Sequence, residues 1–550
     1  MSLPFHPRIR DSLNRPRTLA TGPESFEFLT WSPIGDNPDA SAARKGAALV
    51  LGLGPCPADA ARLLEGRTGA DEDERETAAP DAAVPLAARR QVAWVECPDF
   101  ERALAAGGAE PLPPPPHWVR LTPDEALRFA AETRPAIWTY RQARRLFPDF
   151  WAPLFGRLEA SATTPGLRRA ARTVLLPGGP RDLLHLELWD ALTAEGYQPL
   201  APPRAGRQGA SLVRRLEARP PAFCLSVNLR GLDPGGETFH LLEALGVPVV
   251  LWFVDNPWHI VSALRLPWWK KAVLFVSDAT FIPELRRHGA ERVYPLPLAA
   301  SPLFRPRADP ALPAGARVLF VGRSTFPGRD AFFGASHPPV ELSRRAETLL
   351  ERGGRPDFHW WTEEMGLDTL WPGHAVRAAG AGAEACSLLH RALWLKKMAP
   401  AGLVVVGDKG WKHHLPPGPP ETPLLPPVDY YTTLPGLYRA ASYTFNVTSL
   451  LLPGGLTQRH FDVWRAGGFL LTNRTDGLDI FPPELVDPIT LDAERTPQEC
   501  ISRLERRAGT RRELQNAWQK ILDESHTYRH RIRFMIECLA ESLDGSGASL

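Results

Sequence analysis

Residues 453–472 read PGGLTQRHFDVWRAGGFLLT and bring several chemically capable side chains into one short span. Gly454 and Gly455 form a loop that allows close backbone approach to a ligand. Gln458 and Arg459 stand at the start of a short helix, and Asp462 follows about one turn later. A helix start carries unpaired N–H groups, and a guanidinium beside it can grip phosphate oxygens in pairs. Together they make a natural seat for a diphosphate, with Arg459 meeting charge as it develops on a leaving group. A solvated surface arginine is the plainer alternative. Arg323, at the tip of the run 317–321, could clamp the same phosphates, as could Arg329. Lys409 follows the run 403–406 and could reach a phosphate, although a lysine there is more often solvated.

A second chemistry attaches to Asp255. It ends the apolar run 249–254 (VVLWFV), where Asn256-Pro257 turns the chain sharply out of the strand. A carboxylate at the carboxyl end of a parallel strand faces the ligand crevice and could accept a proton from a hydroxyl. Capping the turn is the other role open to it. His259 and His240 are rival bases.

The elements that must position these groups follow from the hydrophobic pattern. The run 47–53 (AALVLGL) ends in Gly52-Leu53-Gly54 and leads into a helix, and 92–95 makes a second buried strand after the acidic segment 71–76. The spacing is that of a nucleotide-binding or S-adenosylmethionine-binding fold, but Pro57 replaces the third glycine of Gly-x-Gly-x-x-Gly, so a Rossmann-like accessory domain is the expectation. Prolines at 111–116 and around Pro165 end that domain near residue 168. A new series of strands, at 173–176, 223–227, 249–254 and 272–277, alternates with helical segments such as 182–195. The proline-rich stretch 302–313 is a stiff linker, beyond which 317–321, 403–406, 443–447 and 468–472 make a further α/β unit. Residues 416–427 read as a proline-rich loop, and 496–543 as helical before Gly545-Ser546-Gly547.

Composition narrows the function classes. At 550 residues the chain exceeds one hydrophobic core, and 44% apolar residues are ample for burial. Lysine and arginine (64) nearly balance aspartate and glutamate (62), so a net charge of +2 gives no reason to expect a nucleic-acid or membrane-surface partner. The six cysteines are scattered with no Cys-x-x-Cys pair, and no Asp-x-Asp stands at a strand end, so no metal site is expected. Residues 1–23 lack a signal-peptide core and no run approaches a transmembrane span, giving an expectation of a cytoplasmic protein. Most of the 17 tryptophans are expected in cores or between domains.

Four stretches resemble one family. Residues 252–257 (WFVDNP), 434–441 (LPGLYRAA), 454–468 (GGLTQRHFDVWRAGG) and 526–531 (HTYRHR) are similar to the CgeB-like proteins, bacterial glycosyltransferases of the GT-B class related to a spore maturation protein. The likeness covers about residues 170 to 540 and is most specific in Gly-Leu-Thr-Gln-Arg-x-Phe-Asp. It implies an α/β GT-B fold of two Rossmann-like domains facing a cleft, at 169–312 (acceptor) and 313–525 (donor). The accessory domain 1–168 would precede them, and a C-terminal helix, 526–550, would cross back to the acceptor domain. It implies transfer of a sugar from a nucleotide-sugar to a hydroxyl acceptor, with no cofactor and no obligatory metal. In the wider class the donor segment carries two glutamates. Asp462 takes the place of the second, where a carboxylate accepts the ribose hydroxyls, and Gly454 occupies the place of the first. His526, Tyr528 and Arg531 belong to the family motif on the last helix, where a structural hinge is expected, and Tyr438 is expected to pack its helix. Two other readings are open: a nucleotide-sugar-binding protein that has lost catalysis, and an S-adenosylmethionine-dependent enzyme acting through the first 165 residues. The sequence specifies neither the sugar, the base, the acceptor, the stereochemical outcome nor the oligomeric state.

Overall fold

The computed structural model describes residues 7–29, 46–66, 91–108, 113–161, 172–201, 216, 219–308, 310–334, 336–415, 421–491, 496–506 and 509–544. The acidic segment 71–76, the boundary region around Pro165, residues 416–420 of the proline-rich loop and the terminal glycines 545–547 lie outside the described residues. The chain divides into two compact units. The first is Met1–Pro177 with Leu200–Cys224 and Gly231–Val249, and the second is Gly178–Pro199 with Leu225–Arg230 and Val250–Leu550.

The first unit opens with an antiparallel pair, β1 (Arg8–Arg10) and β2 (Pro16–Thr18). A five-stranded sheet follows from β3 (Phe26–Phe28), β4 (Ala48–Leu51), β5 (Val92–Val95), β6 (Val119–Arg120) and β7 (Ala136–Tyr140), in the order β3-β7-β4-β5-β6. Only β3 runs antiparallel. Every residue of β4, β5 and β7 is buried, as expected of parallel strands covered on both faces. The Gly52-Leu53-Gly54 turn is filled by the unit's own side chains. Glu96 accepts hydrogen bonds from Leu53 N at 2.7 Å and Cys97 N at 2.9 Å, and a Cβ on Gly54 (φ 65°) would fall 2.9 Å from the Tyr140 ring. Burial pushes the Glu96 carboxyl up to about 8.

The next sheet comprises β8 (Thr173–Leu175), β9 (Gln198–Leu200), β10 (Phe223–Val227), β11 (Val249–Phe253), β12 (Val273–Val276) and β13 (Val293–Pro295). Its order is β13-β12-β11-β10-β8-β9, and β8 with β10, β11 with β12 and β12 with β13 pair in parallel. Strand order reverses between β8 and β10, the place where α/β sheets open a ligand crevice. The helix His185–Ala194 begins three residues later than the sequence pattern predicts, because Leu184 takes a left-handed backbone (φ 61°) just before it.

The last sheet comprises β14 (Val318–Val321), β15 (Leu403–Val406), β16 (Leu424–Leu425), β17 (Tyr443–Asn446), β18 (Leu470–Asn473) and β19 (Thr490–Leu491). All five neighbouring pairs in the order β16-β15-β14-β17-β18-β19 are parallel. That is the doubly wound order, with its switch between β14 and β17. The protein is thus an α/β protein with two Rossmann-like parallel sheets, as GT-B folds have, preceded by a mostly parallel five-stranded sheet. Within the second unit, Trp464 stacks on Trp518 with ring centroids 5.1 Å apart, seating the helix Thr510–Ser525. The final helix, Tyr528–Asp544, is anchored by Arg531, whose Nε donates to Pro297 O at 2.8 Å, and by Arg529 and Arg533, each donating to Glu195 at 2.8 Å. Tyr438 is buried against Phe304.

Candidate functional site

At the carboxyl end of β11, Asp255 is reachable by solvent yet closely surrounded by protein. Loss of hydration raises its carboxyl above the ordinary aspartate range. Asn228, just past β10, donates Nδ2 to Asp255 Oδ2 at 2.8 Å and accepts from Val254 N at 3.0 Å. Turn capping falls to the next residue. Asn256 Oδ1 accepts from Trp258 N at 3.0 Å and His259 N at 3.4 Å, starting the helix Pro257–Val261, and its Nδ2 donates to Leu451 O at 3.0 Å. This last bond brings the Asp255 turn beside the chain that enters the glycine loop.

The rival bases lie apart from this point. The His259 imidazole is buried among Phe332, Phe333 and Phe358, with centroids 5.6, 5.6 and 5.9 Å away, and its Nε2 has no partner among the described residues. Desolvation, helped by Arg377, holds it at about 4, so the ring is neutral at pH 7. A Cβ on Gly380 would fall 1.8 Å from that nitrogen, so no ligand hydroxyl fits between. His240 Nδ1 is 2.9 Å from Glu243 Oε2 in the first unit.

Close contacts build the glycine loop. Gly454 N donates to Asp278 Oδ2 at 3.0 Å, and a Cβ on Gly454 would fall 2.7 Å from Thr280 Cγ2. Asp278 also accepts from Thr280 Oγ1 at 2.7 Å, and Arg355 Nη2 donates to Pro453 O at 3.0 Å. Gly455 N donates to Leu452 O at 3.3 Å, while His460 N and Phe461 N donate to Thr457 O and Gln458 O at 3.1 and 3.0 Å. Several of the amides expected to face a phosphate are therefore already bonded within the chain, and the helix Arg459–Arg465 is only 7 residues long. The grip on an anion falls to the guanidinium. Arg459 Nε donates to Asn446 Oδ1 at 2.7 Å, and among the described residues neither Nη has a partner. Arg391 lies close enough for its charge to act on Arg459's, but it donates to Ser387 O, Arg323 O and Ser324 O at 3.1, 2.7 and 3.0 Å. Arg323 and Lys409 are exposed at the ends of β14 and β15. Those ends are drawn together by Asp408, which accepts from Ser324 N at 2.7 Å and Gly410 N at 2.9 Å. Arg329 turns to Asp330, 3.2 Å away.

Gln458 and Asp462 are more deeply engaged than their spacing predicts. Gln458 Nε2 donates to Ala299 O and to Asp462 Oδ1, both at 2.9 Å, and its Oε1 accepts from Tyr528 at 2.9 Å. Asp462 is 1% exposed, and its other oxygen accepts from Tyr430 at 2.6 Å. Burial pushes its carboxyl up to about 7. The neighbouring Tyr431 donates to Glu187 Oε1 at 2.6 Å, while Glu187 Oε2 is buried without a partner among the described residues.

The structure thus gathers Gly454, Gly455, Gln458, Arg459 and Asp462 into one loop and helix, ties that loop to the turn after Asp255, and leaves His259 enclosed. Sequence reasoning missed Asn228, Asp278, Arg355, Arg391, Glu187, Tyr430 and Tyr431. Asp278 closes the apolar run 272–277 just as Asp255 closes its own, so the same strand-end rule reaches it. Among the described residues no three His, Cys, Asp or Glu side chains are grouped to hold a metal ion, and no helix is long and apolar enough to cross a membrane.

Residues 387–537 match the model of a family described as glycosyl transferase-like. No curated protein matches the chain. Among solved structures, an alpha-glucosyltransferase in complex with UDP and a 13-mer DNA is 9% identical, covers 66% of this chain and 98% of its own, and gives a TM-score of 0.39. T4 phage BGT with UDP-glucose is 10% identical over 68% of this chain and 99% of its own, with a TM-score of 0.35. An alpha,alpha-trehalose-phosphate synthase (UDP-forming) from Burkholderia vietnamiensis is 12% identical over 67% and 99%, with a TM-score of 0.35.

Proposed function

We propose that the protein is a nucleotide-sugar-dependent glycosyltransferase of the GT-B class, CgeB-like in kind, that moves a sugar to a hydroxyl acceptor. Arg459 carries the reading. Its guanidinium is fixed through Nε, with both terminal nitrogens unengaged among the described residues, inside the segment that matches a glycosyl transferase-like family. It would meet the charge developing on the leaving diphosphate, with Arg323 and Lys409 as mobile additions from neighbouring strand ends. Asp255, rather than the enclosed His259, would take the acceptor proton. No cofactor or obligatory metal is part of the proposal. Its domains are 1–168 accessory, 169–312 acceptor, 313–525 donor and 526–550 the returning helix, acting in the cytoplasm.

The test is a thermal-shift and nucleotide-release screen against UDP-, GDP-, dTDP- and CMP-sugars, with Arg459→Ala alongside. Stabilisation and nucleotide release by one donor are expected, both falling at least about tenfold in the variant. No response to any donor would defeat the reading. Stabilisation without release would favour the second reading, a binding protein without turnover, which the full engagement of Gly454 N and Asp462 supports.

A further inference from the structure

We infer that Asn228 is a positioning residue for Asp255, its carboxamide fixing the orientation of the carboxyl group and holding down its affinity for a proton. The inference rests on the reading of Asp255 as the base. Asn228 and Leu229 both have left-handed backbones, with φ of 50° and 62°. That conformation is unfavourable for an L residue, and among non-glycine residues asparagine bears it well. Of the five non-glycine residues at positive φ among those described, two (Asn228 and Leu229) directly follow the end of β10. Strain of this kind persists where the surroundings over-determine it.

Three hydrogen bonds do so at Asn228. Its N–H donates to Trp252 O at 3.0 Å, its Oδ1 accepts from Val254 N at 3.0 Å, and its Nδ2 donates to Asp255 Oδ2 at 2.8 Å. The orientation of the amide is therefore chemically fixed. A flipped carboxamide would set its NH2 against the Val254 N–H and its oxygen against the carboxylate. With Oδ2 held, Oδ1 is the oxygen left to receive an acceptor proton. Two influences act on this carboxyl: desolvation, the larger, which raises its pKa, and the Asn228 amide, which lowers it. No charged side chain among the described residues adds to them. Asn228 is thus the group that opposes desolvation at this carboxyl.

The test needs no donor sugar. The Asp255 resonance is identified in protein labelled with 13Cγ-aspartate by its loss in Asp255→Asn, then titrated in wild type, Asn228→Gly and Asn228→Asp. Glycine keeps the backbone freedom and removes the amide, so the midpoint should rise by about half a pH unit or more. Aspartate keeps an acceptor for Val254 N–H and replaces the donor with a second carboxylate, so the pair should hold a proton to higher pH still, by about one unit or more. If one variant does not fold, the other gives the reading. An unchanged midpoint in the folded variants overturns the inference. Full nucleotide release by Asp255→Asn would instead defeat the base reading, whatever the titration shows.

Discussion

A carboxylate is a stronger base when its pKa is raised towards the working pH while remaining below it, and desolvation moves Asp255 upward. Turnover should fall as pH drops through the raised value, because the protonated carboxyl accepts nothing. Asp255→Asn should lower turnover about 10²–10⁴-fold while leaving nucleotide-sugar stabilisation unchanged; a matching loss of binding would reassign the residue to the fold. The positions of Asp255 at a strand end and of Arg459 at the glycine-to-helix transition were legible because each follows a local rule. Tyr430 and Tyr431 were not, since their partners Asp462 and Glu187 lie 32 and 244 positions away. No local pattern encodes a pairing of that kind. His259 looked available because it stands four residues past Asp255, and only tertiary packing shows the aromatic enclosure around it.

At the scale of elements, most interior parallel strands were legible as continuous apolar runs, whereas β7, whose run Ala136–Tyr140 carries Thr139 among its apolar residues, was missed, and two-residue edge strands such as β16 and β19 leave too short a signature. The helix Ala375–Met398 was also missed, because Gly380 and Gly382 depress its helical pattern. Those glycines have a packing reason: a Cβ on Gly380 would overlap His259, and one on Gly382 would fall 2.6 Å from the Trp361 ring. Gly380→Ala gains about 1 kcal/mol of helix propensity but overpacks two buried elements at a cost of about 1–3 kcal/mol or more. A lowered melting temperature is expected, and a raised one would show that His259 can retreat. In the first unit, Glu96 makes folding pH-dependent. Its carboxyl is raised to about 8, so the stability it contributes is present below the unfolded glutamate range and lost as pH rises through about 8. Glu96→Gln should flatten that decline, as followed by melting between pH 5 and 9.

Across the second unit, residues far apart in the chain meet in two hydrogen-bonded groups joined through the adjacent Tyr430 and Tyr431. Tyr528 on the last helix holds Gln458, Gln458 and Tyr430 hold Asp462, and Tyr431 holds Glu187. The C-terminal helix is therefore joined to the helix start at Gln458, a partner that the expectation of a structural hinge at 526–531 did not name. Tyr528→Phe should leave the fold intact and weaken nucleotide-sugar stabilisation through Gln458, by about threefold to tenfold in affinity; unchanged affinity would make the bond purely structural.

The Tyr430 bond has a further consequence. If the oxygens of Asp462 are those a ribose diol takes, the diol must compete with a phenol and an amide that belong to the chain itself, and one hydrogen bond is exchanged for another of similar strength. Affinity at that point is then a difference rather than a sum. Tyr430→Phe removes the internal competitor and should tighten binding of a ribonucleotide by up to about tenfold, read by calorimetry. A 2′,3′-dideoxy nucleotide, having no diol to exchange, should gain nothing from the same substitution.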